Sequence, residues 1–317
     1  MTRAEQWEYD EAAPVAWAPE DNAAERSGRS DNRRYRRRGG RRSSCNLLVI
    51  LLVVLFSAGL CLGRILMAAE RGTLGSAPTG GSSYNLPELP KGLSQSEQNQ
   101  LKLQQIQQRP ELYPQALREL VEKNPETLDY VYQYPELHDQ SPKIDLKQEA
   151  SGDRVPLLLQ WDSRWGYKSY GSGLIGYTGC GPTCLSMVAL YLTGNPDYDP
   201  ATIARYAEQE GYYVSGSGTS WDLMDTGCQH FGLASEDVMF EEHQMAALLQ
   251  EGKPLICVLG PGDFTDAGHF IVITGYTGEG FTICDPNSPL RSAQIWTFAR
   301  LNGQVKNVWA FSLSENS

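Results

Sequence analysis

The C-terminal half of the 317-residue chain reads as an α+β domain. Three observations carry that reading. Residues 151–317 have the length of a single domain. Within them the helical patterns come first and the short strand patterns come last. Those strand patterns are separated by Gly, Pro and Asn, the residues of tight turns, so the sheet is expected to be mainly antiparallel. Helices followed by a run of strands give segregated layers.

Taken in order, residues 155–159 (VPLLL) are a short apolar run expected as a strand. Residues 180–194 open on Cys-Gly-Pro and continue with Cys184, Leu185, Met187, Val188, Leu190, Tyr191 and Leu192. That composition predicts a helix buried on most sides, with Pro182 setting its first turn and Gly194 ending it. Asp199-Pro200 caps a second helix running to about Glu210. A third is expected to start at Thr219 or Ser220 and close at Gly232, and a fourth spans 241–250 before Gly252. The period then changes, and strands are expected at 255–259, 269–274, 280–284, 293–298 and 307–313.

Upstream the charge is unevenly divided. The whole chain carries −11, yet residues 1–63 hold 10 basic and 8 acidic side chains, a net of +2, which leaves −13 on residues 64–317. The divider is LLVILLVVLFSAGLCL at 47–62, uncharged throughout and extended by its neighbours to 45–63. At about 1.5 Å per residue such a helix reaches about 28 Å, enough for the hydrocarbon core of a bilayer. An arginine run at 33–42 precedes it, and only Arg64 and Arg71 follow closely, with Glu70 between them. The positive-inside bias therefore puts the N-terminus in the cytoplasm and residues 64–317 outside.

Residues 1–44 are thus expected to be a disordered basic arm near anionic lipid, and residues 45–63 a single transmembrane helix in the cell membrane. A cleaved signal peptide fits poorly, because 44 residues precede the span and no A-x-A site follows it. Ala58-Gly59-Leu60 before Cys61 is likewise a poor lipobox. Residues 64–92 are rich in Gly, Ser and Pro and read as a flexible linker. Residues 93–150 read as a short helical neck: a polar helix from Ser94, one after Pro114, and one after Asn124-Pro125 that Tyr134-Pro135 stops. These helices are too small for a core of their own and are expected to pack on the domain. The acidic exterior excludes binding of nucleic acid by phosphate neutralisation.

Three histidines follow residue 151: His230, His243 and His269. There is no HExxH, no paired CxxC and no glycine-rich loop ending in Gly-Lys, so no metal, nucleotide or other cofactor is expected. Thiol chemistry remains. Cys180 stands at the start of the buried helix, where free N–H groups and the helix dipole favour thiolate, and its flanking glycines would let a substrate backbone approach. Cys184, one turn on, reads as core. Five cysteines lie outside the span, so at least one thiol is unpaired in the monomer.

A thiolate needs a base, and the base an orienting acceptor. His269 opens a strand behind the glycine-rich 260–268, and Asp285 ends the next strand, within reach if a tight turn near Gly278 joins the two. Taken alone, His269 is as much a satisfied, half-buried histidine as a catalyst. Asn287 is an alternative orienter. His230 reads as a helix-end cation and His243 as a solvated helix start.

Four motifs in order carry a resemblance: Gln160-Trp161-Asp162-Ser163-Arg164-Trp165-Gly166, Gly179-Cys180-Gly181-Pro182-Thr183, Gly268-His269-Phe270 and Asp285-Pro286. Over roughly 151–313 the chain resembles the C39-type peptidase family, papain-like cysteine peptidases related to the double-glycine leader peptidases of bacteriocin exporters. The resemblance implies a papain-like cysteine peptidase fold, Cys180 as nucleophile, His269 as base, Asp285 orienting it and Gln160 as the oxyanion-hole glutamine. A peptide or protein substrate outside the membrane is implied as the partner. The expected function is a membrane-anchored, extracytoplasmic cysteine peptidase. A cell-wall peptide hydrolase or amidase using the same triad, and a catalytically inactive peptide-binding module, are the alternatives. Trp161, Trp165, Tyr167, Tyr170, Tyr177, Tyr212, Tyr213 and Trp221 fall on segments near the cleft, as subsites or as core.

Overall fold

In the computed structural model, which describes residues 84–314, the chain enters as three helices that lack a self-sufficient core. Residues 1–44, the span at 45–63 and most of the linker lie outside the described residues. Among those described, no helix is long and apolar enough to cross a membrane.

α1 (Gln95–Gln108) starts on a capping box, in which Ser94 N donates to Glu97 at 2.8 Å and the Ser94 hydroxyl accepts from Glu97 N. α2 (Gln115–Lys123) buries Leu117 and Val121, one turn apart. A 3₁₀ turn (Pro125–Thr127), capped by Asn124, leads into α3 (Leu128–Leu137). Pro135 was expected to stop that helix and lies inside it instead. It falls in the last turn, where its missing N–H removes a single bond, and His138 N still reaches Tyr134 O at 3.1 Å.

Ile106, Tyr113, Leu117, Val121, Leu128, Val131 and their neighbours complete a core only with Tyr167, packed against Trp161, Leu174 and Tyr177. Tyr130 and Tyr167 stack at 4.5 Å, and the two exchange hydroxyl bonds with opposite backbones: Tyr130 to Gly166 O and Tyr167 to Tyr130 O, both 2.7 Å.

α4 (Lys147–Ala150) precedes residues 155–159, which have no regular secondary structure and pair with no strand. Val155 and Leu158 bury themselves in the same core as the Cys180 helix, while Leu158 N points at Met187 Sδ and Gln160 N at Pro286 O. Apolar character there serves packing and not a ladder. A short hairpin, β1 (Ser169–Tyr170) and β2 (Gly173–Leu174), leads to α5 (Ile175–Thr178) and then to α6 (Cys180–Thr193), closed by Gly194 at φ 67°. α7 (Pro200–Gln209) is capped by Asp199, which accepts from the N–H of Ala201 and Thr202.

A second hairpin, β3 (Tyr213–Val214) with β4 (Gly218–Thr219), separates α7 from α8 (Asp222–Asp225). The single helix expected up to Gly232 is broken: α8 ends, and a 3₁₀ turn (Gly227–Phe231) follows. The remaining elements are β5 (Leu233–Asp237), α9 (Glu242–Gln250), β6 (Leu255–Leu259), β7 (His269–Tyr276), β8 (Phe281–Cys284), α10 (Pro289–Ser292), α11 (Phe298–Leu301) and β9 (Val305–Leu313). Residues 293–298 are not a strand. α10 and α11 occupy both flanks, leaving a single bridge between Trp296 and Phe281.

The domain is α+β, with a five-stranded antiparallel sheet in the order β5-β9-β6-β7-β8. Alternation sorts each strand between two cores. Ile256, Val258, Phe270, Val272, Trp309 and Phe311 meet the helix layer that contains α6. Leu255, Cys257, Ile271, Ile273, Val308 and Ala310 face the other side, with Met245 of α9. Both faces are covered, which explains strands that read as unbroken apolar runs.

Because α2 completes its core only against the domain, Leu117→Ala is expected to cost about 2–5 kcal/mol in chemical denaturation followed by tryptophan fluorescence. A loss below about 1 kcal/mol would mean the helices contribute little to the folded unit.

Candidate active site

Cys180 is the first residue of α6, and its N-cap, Gly179, offers no side chain to the helix start. The N–H groups of that first turn are therefore free to meet a thiolate. The Gly181 N–H does so, and the Phe270 N–H of β7 adds a second bond from the sheet. Cys180 is partly exposed, whereas Gly181, Pro182, Thr183 and Cys184 behind it are buried. The flanking glycines have a packing reason as well as the expected one of substrate access. A Cβ on Gly181 would lie 2.7 Å from the Thr219 side chain, and one on Gly179 would lie 2.6 Å from Ile175.

His269 opens β7, hydrogen-bonded in register opposite Leu259 of β6. On its other side β7 pairs with β8, Val272 facing Cys284. Continuing that register by one residue puts Asp285 opposite Ile271 and diagonal to His269. The side chains meet: His269 Nε2 lies 2.8 Å from Asp285 Oδ1. That leaves Nδ1 as the ring nitrogen for Cys180, with which His269 shares a side-chain hydrogen bond. His269 is 6% exposed and Asp285 fully buried.

A residue that sequence reasoning missed completes the arrangement. Arg291, on the single turn of α10, donates Nε to Asp285 Oδ2 at 2.5 Å and lies over the Phe264 ring. Asn287 N adds a bond to Asp285 Oδ1 at 2.8 Å. Each carboxylate oxygen is thus occupied, and the imidazole receives one of them from a fixed direction.

The electrostatics follow from these contacts. Burial pushes the Asp285 carboxyl up, but the charges and hydrogen bonds of His269 and Arg291 outweigh it and hold the group below its ordinary 3.8. Burial pushes the His269 ring down, yet Asp285, and then Cys180, raise it from 6.5 to about 10. For Cys180 burial again disfavours charge, and the bond and charge of His269 with the N–H groups of Phe270 and Gly181 hold the thiol below its usual value. All three shifts run toward the charged forms: thiolate, imidazolium and carboxylate.

Gln160 is buried, and the structure ties it to both sides of this assembly. Its Nε2 donates to Gly176 O at 3.1 Å, in the turn just before Cys180, while its backbone N–H donates to Pro286 O at 2.7 Å, beside Asp285. Its Oε1 is buried without a partner. Asn287, the alternative orienter, is not on the histidine. Its side-chain oxygen accepts from Asn124 Nδ2 at 3.1 Å, so Asp285 alone holds the ring.

The other thiols differ in kind. Cys184, Cys228, Cys257 and Cys284 are free and buried, and burial raises all four, Cys284 to about 12. Of the eight aromatics singled out from the sequence, Trp165, Tyr167 and Tyr170 are core, and the rest are partly exposed. Among the described residues no cluster of side chains could hold a metal ion.

Residues 153–312 match the profile of the Peptidase_C39 like family. No curated protein matches the chain. Among solved structures, the chain is similar to the peptidase domain of Streptococcus ComA, a bi-functional ABC transporter involved in a quorum sensing pathway. Identity is 19%, over 43% of this chain and 91% of that one, with a TM-score of 0.34. A structure described as a C39-like peptidase from Bacillus anthracis is similar at 15% identity, over 54% of this chain and 98% of that one, with a TM-score of 0.30.

The sign of the His269 shift can be measured where Cys180 does not titrate. The folded ring keeps a proton that the unfolded ring releases near 6.5, so its contribution to stability is full below 6.5 and is lost as pH rises through the folded value. In Cys180→Ala, stability by urea denaturation is expected to decline as pH rises above 6.5. Adding Asp285→Asn leaves burial unopposed, and His269 should then titrate below 6.5 by NMR.

Proposed function

The chain belongs to the Peptidase_C39 like family, and on that premise we propose that it is a membrane-anchored, extracytoplasmic cysteine peptidase acting through Cys180, His269 and Asp285. One observation carries the reading: a partly exposed thiol at a helix start is hydrogen-bonded to a histidine whose other nitrogen is held by a buried carboxylate. The anchoring rests on the uncharged run at 45–63 and the arginines at 33–42.

The chemistry is acyl transfer. The Cys180 thiolate attacks a peptide carbonyl, forming a C–S bond and an oxyanion. The N–H of Cys180 and a Gln160 Nε2 hydrogen stabilise that oxyanion. One Nε2 hydrogen is committed to Gly176 O, and the amide carries a second. His269 then gives its proton to the departing nitrogen as the C–N bond breaks, leaving a thioester. The neutral imidazole takes a proton from water, the hydroxide adds, and the C–S bond breaks to release the acid and restore the thiolate. Asp285 keeps Nε2–H engaged throughout, so that Nδ1 alone does the transfers.

With the full chain and a fluorogenic peptide library, Cys180→Ala and His269→Ala are expected to lower kcat/KM by at least about 10³-fold, and Gln160→Ala by about 10–10³-fold. Peptides that bind wild type without being cut would make this a binding module instead.

A further inference from the structure

Resting on that reading, we infer that Asn124 and Glu126, in the helical segment ahead of the domain, are positioning residues for the Asp285–His269 pair. The family match begins at residue 153, so both lie outside it.

The bonds are specific and reach across the chain. Asn124, itself buried, donates Nδ2 to Asn287 O at 2.6 Å and to Asn287 Oδ1 at 3.1 Å. Glu126 accepts from the Ser288 hydroxyl through Oε1 and from Leu290 N through Oε2 at 3.0 Å. Residues 287–290, the loop end and the start of α10, fix Asp285. Asn287 N bonds Asp285 Oδ1, and Ser288 caps the turn from which Arg291 reaches Oδ2. The helical segment therefore holds the two groups that hold the carboxylate that holds the imidazole.

The same segment also touches the cysteine side. A Cβ on Gly176 would lie 2.2 Å from the Tyr130 hydroxyl, so that ring is seated against the turn entering Cys180, whose carbonyl Gln160 uses. One small helical unit thus spans both halves of the site. A spacer would have no reason to place a buried amide and a carboxylate on one loop.

The Glu126 carboxylate supplies two acceptors to two donors. In Glu126→Gln one acceptor becomes a donor and faces Leu290 N or the Ser288 hydroxyl, so the loop loosens while bulk is kept. Asp285 then orients the ring less well, and Cys180 loses part of its counter-ion.

The test is the pH profile of Cys180 alkylation by iodoacetamide in the full chain, read by mass spectrometry. Glu126→Gln and Asn124→Ala are expected to move the midpoint up by about 0.5–1 pH unit and lower kcat about tenfold, with KM changed less than about twofold. Leu117→Ala, which loses stability without touching the loop, should keep the wild-type midpoint. Variants that lower Tm while leaving the midpoint in place would overturn the inference and leave the peptidase reading standing. A wild-type midpoint at or above that of an ordinary thiol would overturn both.

Discussion

A carboxylate with no exposed surface is tolerated only when donors replace the water it has lost. Asp285 is in that position, and it meets the requirement with His269, the Asn287 N–H and Arg291. The rest of the site depends on this. A charged Asp285 is what lets a buried imidazole keep its proton, and a protonated imidazole is what lets a thiol at the start of α6 become a thiolate. Removing either cation would leave the buried charge with one cationic partner in place of two, a larger penalty than the loss of a surface ion pair.

The fold supplies the geometry by two independent routes. α6 brings Cys180 to its own N-terminus, where the dipole and free N–H groups act on the sulfur. The β7–β8 pair brings His269 and Asp285 together by register. Packing of α6 on the sheet through Phe270 and Val272 then joins the routes. Gly181 matters to this junction because the Thr219 side chain occupies the space a Cβ would need. The irregular segment 155–160 closes the assembly, its last residue bonded to both Gly176 and Pro286.

What was legible in the sequence was local. A Gly-Cys-Gly-Pro opening announces a helix start, and a histidine and an aspartate at the ends of successive strands fall within reach once a hairpin is assumed. β6 was bounded to the residue because both of its faces are apolar and Gly flanks it. Contacts between distant segments were not legible. Arg291 sits in a four-residue turn with no periodicity, and Asn124 and Glu126 act on a loop more than 160 residues away. The runs at 155–159 and 293–298 misled for a shared reason: burial and strand pairing leave the same apolar signature, and only tertiary context separates them. Pro135 misled in the opposite sense, since its cost near a helix end is one bond and not the helix.

In the proposed peptidase chemistry, Cys180 carries the acyl group during turnover. Rapid quenching of the full chain with an activated peptide ester, followed by peptide mapping, tests it most directly. A thioester on Cys180 is expected to form in the first turnover and to be lost on hydroxylamine treatment. A chain that turns the ester over with no adduct on Cys180, or with the adduct on Cys184, Cys228, Cys257 or Cys284, would contradict it.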